Sequence, residues 1–305
     1  MSETIQMGPY SFEAGNLDKV IFPEDGFTQR EVLAYYQHIA ETMLPHLGDR
    51  PVSMQRFPDG IQSGGFYQKE VPDYFPDWIQ RVQVEVKEQE RSQAQVVVAN
   101  QATLAYLADQ GCITLHTWLS RADRLDFPDK LIFDLDPPGD DFQTVREAAL
   151  ALRSLLAELD LVPFVMTTGS RGLHVVILLD RQANFEQSRT FAREVSNLLA
   201  SRHPDAYTTE VRKEKRAGRL FLDYLRNGYA QTSVAPYTLR PKPGAPVATP
   251  LDWDELQDHS LTSQSYTLKN IFRRLGQKAD PWQDIYRHAR DLGKAREALE
   301  RMRAS

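Results

Sequence analysis

Cysteine is almost absent from this chain: Cys112 is the only one in 305 residues. A single thiol excludes an internal disulfide and argues against a thiolate-based zinc site, so any metal must be held mainly by oxygen and imidazole. Long apolar runs are missing as well. No stretch of about 18 apolar residues occurs, and the N-terminal MSETIQMGPYSF has neither a basic nor an apolar leader-like region, so a cytoplasmic protein with no membrane partner is expected. Internal repeats, low-complexity segments and the spacing of a Walker A loop are also lacking. So is any general excess of positive charge: 36 Lys+Arg against 42 Asp+Glu leave −6. Contact with nucleic acid would therefore have to come from a local patch.

What is present suits a folded α/β chain, with 41% hydrophobic residues to build a core. Thr28 with Glu31 forms a capping-box signature, and Val32, Tyr35, Tyr36, Ile39 and Met43 then recur at helical spacing toward Leu44. Strands are expected over 51–57, 81–86 and 94–98, a helix near 101–110 ended by Gly111, and a strand CITLHTW. The second half opens with LIFDLD, ended by Pro137 and Pro138, and continues with a helix over about 142–159. Strands PFVMTT and HVVILL flank the turn GSRGL, Asn184 with Gln187 starts a helix through about 200, and RLFLDYL reads as a strand. PKPGAPVATP reads as a proline-rich connection to a charged helical tail. The expected organisation is a module over 1–125, a catalytic module over 126–245, and a connection with a helical extension over 246–305.

In a strand, residues two apart share a face, so Asp134 and Asp136 project side by side. Two carboxylates that close either share a proton or hold a cation, and a hard divalent ion suits an oxygen pair at a strand end. A bare D-x-D is equally an exposed strand end with solvated acids. Asp223, again inside an apolar strand, supplies a third carboxylate of the kind a two-metal phosphoryl-transfer site needs. TTGSRGLH (167–174) offers glycines, the hydroxyls of Thr168 and Ser170, Arg171 and His174 as a phosphate cradle, or else a plain hairpin turn. Five of the nine residues in VRKEKRAGR (211–219) are basic, including Arg212, Lys213, Lys215 and Arg216. This is a phosphate-binding patch or a solvated loop. Arg56, Phe66, Tyr67, Lys69 and Trp78 bring rings and charges together as base-stacking residues do, although aromatics at this density are also core.

Taken in order, these segments resemble the polymerase domain of bacterial ligase D, a branch of the archaeo-eukaryotic primase superfamily. The resemblance rests on LDKVIFPEDGFTQREVLAYY, RPVSMQRFPDGI, FYQKEVPDYFPDW, LHTWLSR, LIFDLDPP, TTGSRGLHVVI and EVRKEKRAGRLFLDYLRNGYAQTSVAPYTLR, and covers most of residues 15–240. It implies a primase-polymerase fold of the α/β (α+β) class: an RRM-like catalytic sheet packed on a second α/β module, with a C-terminal helical extension. It implies that Asp134, Asp136 and Asp223 are the three metal-binding acids, and that His116, His174, Arg226 and Arg240 hold the incoming nucleotide together with Thr168, Ser170 and Arg171. Lys19 matches a contact to the 5′-phosphate of a DNA gap, and Phe66 and Tyr67 match an aromatic pair near the template. Arg30, Arg56, Lys69 and the 212–216 patch complete the DNA-binding candidates. Thr168 stands where serine is usual, Arg171 where lysine is common, Gln29 (beside Arg30) where a second phosphate-binding lysine often occurs, and Gln55 at a basic position.

The implied activity is template-directed addition of nucleotides, ribonucleotides commonly preferred, to a DNA primer 3′ end with two divalent ions, Mn²⁺ or Mg²⁺, as in gap filling during non-homologous end joining. DNA and nucleoside triphosphates are the expected ligands, with Ku and a separate ATP-dependent DNA ligase as candidate partners. No ligase or nuclease segment is recognisable in this sequence, so any sealing step is expected from another protein. A primase that starts chains de novo, and a noncatalytic module bridging DNA ends, are the alternatives.

Overall fold

The computed structural model describes residues 2–86, 90–139 and 141–304. Among the described residues are six α-helices: α1 (Gln29–Leu47), α2 (Gln101–Asp109), α3 (Phe142–Glu158), α4 (Phe185–Arg202), α5 (Ile271–Gln277) and α6 (Leu292–Ala304). With several sheets, they make a mixed α/β protein. Two helix starts are set by reciprocal caps. Thr28 accepts from the Glu31 amide while Glu31 accepts from the Thr28 amide at 2.8 Å. Asn184 and Gln187 do the same for α4, at 2.9 Å in both directions. Each cap satisfies amide donors that the first helical turn leaves unpaired, so the boundary is written locally. Among the described residues no helix is long and apolar enough to cross a membrane.

The chain divides into two compact units, each discontinuous in sequence. The first comprises Met1–Asp123, Thr232–Ala248 and Tyr266–Gln277. Its four-stranded sheet runs in the order Thr232–Val234, Cys112–Trp118, Val52–Arg56, Phe66–Gln68. The apolar stripe of α1 enters a core that also holds Leu115, Tyr237, Leu239 and Val247. The hydroxyl of Tyr35 donates to the Tyr237 carbonyl and that of Thr114 to the Leu239 carbonyl, each at 2.7 Å. Cys112 lies in this core, where burial pushes its thiol up to about 12 and favours the protonated form.

The second unit comprises Arg124–Gln231, Thr249–Ser265 and Lys278–Ser305. Its six-stranded sheet runs in the order Tyr207–Thr208, Leu220–Asp223, Lys130–Asp136, Leu173–Leu178, Phe164–Thr167, Pro250–Leu251. Every neighbouring pair is antiparallel except Tyr207–Thr208 with Leu220–Asp223. α3 and α4 pack on this sheet through residues such as Val145, Leu152 and Leu156, and Phe191, Val195 and Leu199.

The expected three-part division is redrawn by these contacts. PKPGAPVATP is not a solvated connection: Ala245, Val247 and Ala248 are fully buried, Pro246 bridges Thr267, and Pro250 joins the six-stranded sheet. Its small apolar residues fill space that longer side chains would overpack, and the prolines sit where no ladder donor is needed. The segment after it is no free extension either. Lys278 lies 2.5 Å from Asp252 and 3.2 Å from Glu255, and Arg303 of α6 lies 3.1 Å from Glu194 of α4.

Candidate metal and nucleotide site

The strand Lys130–Asp136 is central in its sheet, and its buried residues alternate with two half-buried acids, Asp134 and Asp136, before Pro137 ends it. The antiparallel register with Leu220–Asp223 sets Asp134 directly opposite Asp223. Residues so paired share a face with Cβ atoms about 5 Å apart. On the other flank Asp134 faces His174. Three carboxylates and an imidazole therefore meet on one face of one sheet.

An imidazole and three guanidiniums surround these acids. His174 Nε2 lies 3.6 Å and Arg226 Nε 3.5 Å from Asp134, and Arg226 is also 3.9 Å from Asp223. The two oxygens of Asp136 take different arginines, Arg171 at 3.0 Å and Arg216 at 3.2 Å. Arg216 is itself clasped. It donates to the carbonyls of Glu210 and Val211 at 3.1 Å, and its guanidinium lies 3.9 Å from the ring centroid of Phe221, the residue opposite Asp136.

The two facing acids respond differently to this setting. Burial raises Asp134, but the charge and hydrogen bond of His174, followed by Arg226, outweigh it and hold the carboxyl below its ordinary value. Burial first and Asp134 second push Asp223 above that value. Asp223 is positioned by the Leu225 amide, which donates to Oδ1 at 2.7 Å. Asn227 locks the segment that follows: its side chain accepts from the Ile132 amide at 2.8 Å and donates to the Ile132 carbonyl at 2.7 Å. A side-chain amide thus replaces the ladder just where the partner strand has ended.

Among the described residues no three His, Cys, Asp or Glu groups converge closely enough to hold an ion as they stand. The donor chemistry nevertheless fits a hard divalent cation, because carboxylates face each other from two strands and a cation there would take the place of the arginines that pair with them.

The turn between Phe164–Thr167 and Leu173–Leu178 is built around Thr168 and two glycines. Gly169 has φ 63°, and a Cβ on Gly172 would lie 2.1 Å from the Leu135 carbonyl oxygen. Only glycine lets this backbone rest against the acid-bearing strand. The amides of Ser170 and Gly172 donate inward to the Thr168 hydroxyl at 3.3 Å, so the outward-reaching group of this turn is the Arg171 side chain. Two residues that sequence reasoning missed buttress the turn. Ser263 donates to the Gly172 carbonyl at 2.9 Å, and Gln264 to the Ser170 carbonyl at 2.6 Å. Nothing local in the sequence marks them, since they follow the turn by more than ninety positions.

His116 and Arg240, the remaining nucleotide candidates, belong to the first unit. There His116 sits 5.5 Å from the ring of Tyr67, and Arg240 starts a bend in which its amide donates to the Pro246 carbonyl at 2.7 Å. Phe66 and Tyr67 are exposed, at 48% and 60%, on the strand beside Arg56. Arg56 is buried and occupied: it donates to the Gln110 carbonyl, Gln68 and Tyr74, with its guanidinium 5.6 Å from the Phe66 ring. Lys69 is exposed. Lys19 donates to the Pro58 carbonyl at 2.9 Å and to Asp59 at 2.8 Å on the wall of a cleft of about 370 Å³. Arg30 pairs with Glu3, while Gln29 turns inward to the Ala108 carbonyl. Of the basic run in the second unit, Arg212, Lys213 and Lys215 are exposed, whereas Arg216 is half-buried in the acid cluster.

The sequence matches the family described as LigD, primase-polymerase domain, over residues 28–282. A multifunctional non-homologous end joining protein LigD of Mycolicibacterium smegmatis is 33% identical over 81% of this chain and 32% of its own length. A bifunctional LigD of Bacillus subtilis is 31% identical over 90% of this chain and 44% of its own. The chain thus spans less than half the length of these curated relatives. Among solved structures, the polymerase domain of Mycobacterium tuberculosis ligase D in complex with DNA superimposes with a TM-score of 0.82 at 30% identity, covering 90% of this chain and 98% of that one.

Proposed function

The chain belongs to the LigD primase-polymerase family, and on that premise we propose that it is a template-directed nucleotidyltransferase that extends the 3′ end of a DNA primer strand. The observation that carries the reading is the register that sets Asp134 opposite Asp223, two residues from Asp136 on the same face. Three carboxylates so placed suit two divalent ions, Mn²⁺ or Mg²⁺, held by Asp134, Asp136 and Asp223. Such ions, when bound, would supply Lewis acidity at the 3′-hydroxyl and at the departing pyrophosphate.

The protein's own groups do the positioning. Arg171 and Arg226, now paired with the acids, are the guanidiniums available to triphosphate oxygens. His174, buried beside Asp134, fixes that carboxylate's orientation and offers an imidazole to the nucleotide. Gly172 and the Thr168–Ser263 contact hold the turn against the acid strand. In the first unit, exposed Phe66 and Tyr67 suit stacking near a template strand, and Lys19 suits a 5′-phosphate. The relatives' names support a setting in non-homologous end joining; gap filling there, in a bacterial or archaeal cytoplasm with Ku and a separate DNA ligase as partners, belongs to the proposal.

Primer extension on gapped and recessed DNA tests this, with ribo- and deoxyribonucleotides compared in Mg²⁺ and Mn²⁺. Asp136→Ala is expected to lose at least about 100-fold in nucleotide addition. A variant that extends at the normal rate would remove the metal-site assignment. Omitting the primer separates extension from chain initiation.

A further inference from the structure

The second unit carries another concavity that no sequence motif marks. A cleft of about 470 Å³ lies between the first turns of α4 and the segment that follows Asp223. Phe185, Glu186, Arg189 and Arg193 line it from α4, and Tyr224 and Tyr229 from the segment. Arg189 and Arg193 are four residues apart, so they project from one helix face. Both are exposed, and neither forms an ion pair among the described residues. Arg171, Arg216 and Arg226 of the same unit are all paired with acids. Two guanidiniums against the single carboxylate of Glu186 leave the cleft net positive.

The chemistry of the lining is that of a phosphate with a base beside it. Guanidinium groups match phosphate oxygens in bidentate fashion, and phenol rings accept a stacked base. The segment that lines one wall of the cleft follows the acid strand directly in the chain. Leu225 is bonded to Asp223, Arg226 lies against Asp134, and Asn227 is locked to Ile132. Tyr224 and Tyr229 therefore flank a fixed stretch of chain that begins at Asp223.

We propose that this cleft holds the sugar–phosphate backbone of the primer strand just upstream of its 3′ end, with Arg189 and Arg193 on phosphates and a tyrosine ring on a base. The assignment rests on the reading of the chain as a primer-extending enzyme. Tyr224, the residue next to Asp223 in the chain, lines the cleft, whose net positive lining suits the phosphates of a primer strand. Two arginines one helical turn apart suit neighbouring phosphates of a strand better than a single nucleotide.

The test is binding of a recessed primer-template by the full chain, followed by fluorescence anisotropy across a range of salt concentrations. Wild type is compared with R189A/R193A, with R189K/R193K, and with R273A/K294A, which removes two exposed charges from α5 and α6. The double alanine variant is expected to bind about 10-fold more weakly at low salt, with the slope of log affinity against log salt shallower by about 1.5. The lysine variant should keep most of that slope, and the α5/α6 variant should match wild type.

Wild-type affinity and slope in R189A/R193A would overturn the proposal, as would an equal loss in R273A/K294A. Equal competition by a glutamate-rich peptide would also overturn it, by assigning the cleft to an acidic protein partner. A wild type that adds no nucleotide to this substrate would sink the functional reading itself. Normal wild-type extension with a silent arginine pair would sink only the cleft.

Discussion

The acid face of the second unit and the aromatic edge of the first hold their polar and aromatic groups in two different ways, and the proposed function gives each way a use. On the acid face every charged side chain is already held: Asp134 by His174 and Arg226, Asp136 by Arg171 and Arg216, and Asp223 by the Leu225 amide. On the aromatic edge Arg56 is tied inward to the Gln110 carbonyl and Lys19 is paired with Asp59 at the surface, while the rings of Phe66 and Tyr67 stand in solvent. The first arrangement places charges where a small error in position would matter. The second presents apolar surface that tolerates any base, because every base has a face to stack. Chemistry needs the former, and holding a strand of arbitrary sequence needs the latter.

The sharpest way to break this contrast is within the acid face itself. Asp134→Asn and Asp223→Asn should each lower nucleotide addition by about 100-fold or more, yet move stability in opposite directions. The depressed Asp134 carboxyl contributes stability that is present above the ordinary carboxylate value and lost as pH falls through its lower folded value. The raised Asp223 carboxyl destabilises the fold fully above its raised value, and this penalty diminishes as pH falls through that value and is gone below the ordinary carboxylate value. Near neutral pH the Asp134→Asn protein should therefore melt lower than wild type and the Asp223→Asn protein higher. The Asp223 difference should shrink first on acidification. Parallel shifts in calorimetry would mean that the two acids do not differ in this way.

The next largest effect belongs to the aromatic edge. Tyr67→Ala should weaken binding of the template strand by about 10-fold, the value of one stacked base, with an unchanged melting temperature. Arg56→Ala should instead destabilise the unit, because it leaves the Gln110 carbonyl and Tyr74 without their partner. If Tyr67→Ala left DNA affinity intact, the edge would be only an exposed surface.

The smallest effect tests the support of the turn. Ser263→Ala removes a hydroxyl bonded to the Gly172 carbonyl and beside Thr168, and is expected to raise the KM for nucleotide roughly 3-fold, the size of one lost neutral hydrogen bond, with little change in kcat. A fall in kcat at constant KM would point to a different role.

These contrasts differ in how visible they were in one dimension. The caps at Thr28 and Asn184, the helix stripe of α1 and the alternation of LIFDLD depend on residues within four positions of each other, so periodicity and cap chemistry reveal them. The partner of Asp136 could not be read in this way. Arg216 lies in a basic run that composition assigns to nucleic acid, yet it is folded back over Phe221 onto an acid 80 residues away. Gln29 stands at a position where phosphate contact was in view, and its burial against Ala108 removes it from solvent. The run PKPGAPVATP misled because proline content signals a linker, whereas the burial of its alanines and valine depends on space left by distant elements.

The sequence by itself determined the elements, the acid pair two residues apart, the third acid within a strand, and the family whose motifs these are. Each is a matter of local stereochemistry or of residue order. Tertiary structure alone decided that Asp134 faces Asp223 and His174, that arginines neutralise the acids, and that Ser263 and Gln264 brace the turn. Strand register and long-range closure set those distances, and they arise from packing the whole chain at once, which no local pattern of residues encodes.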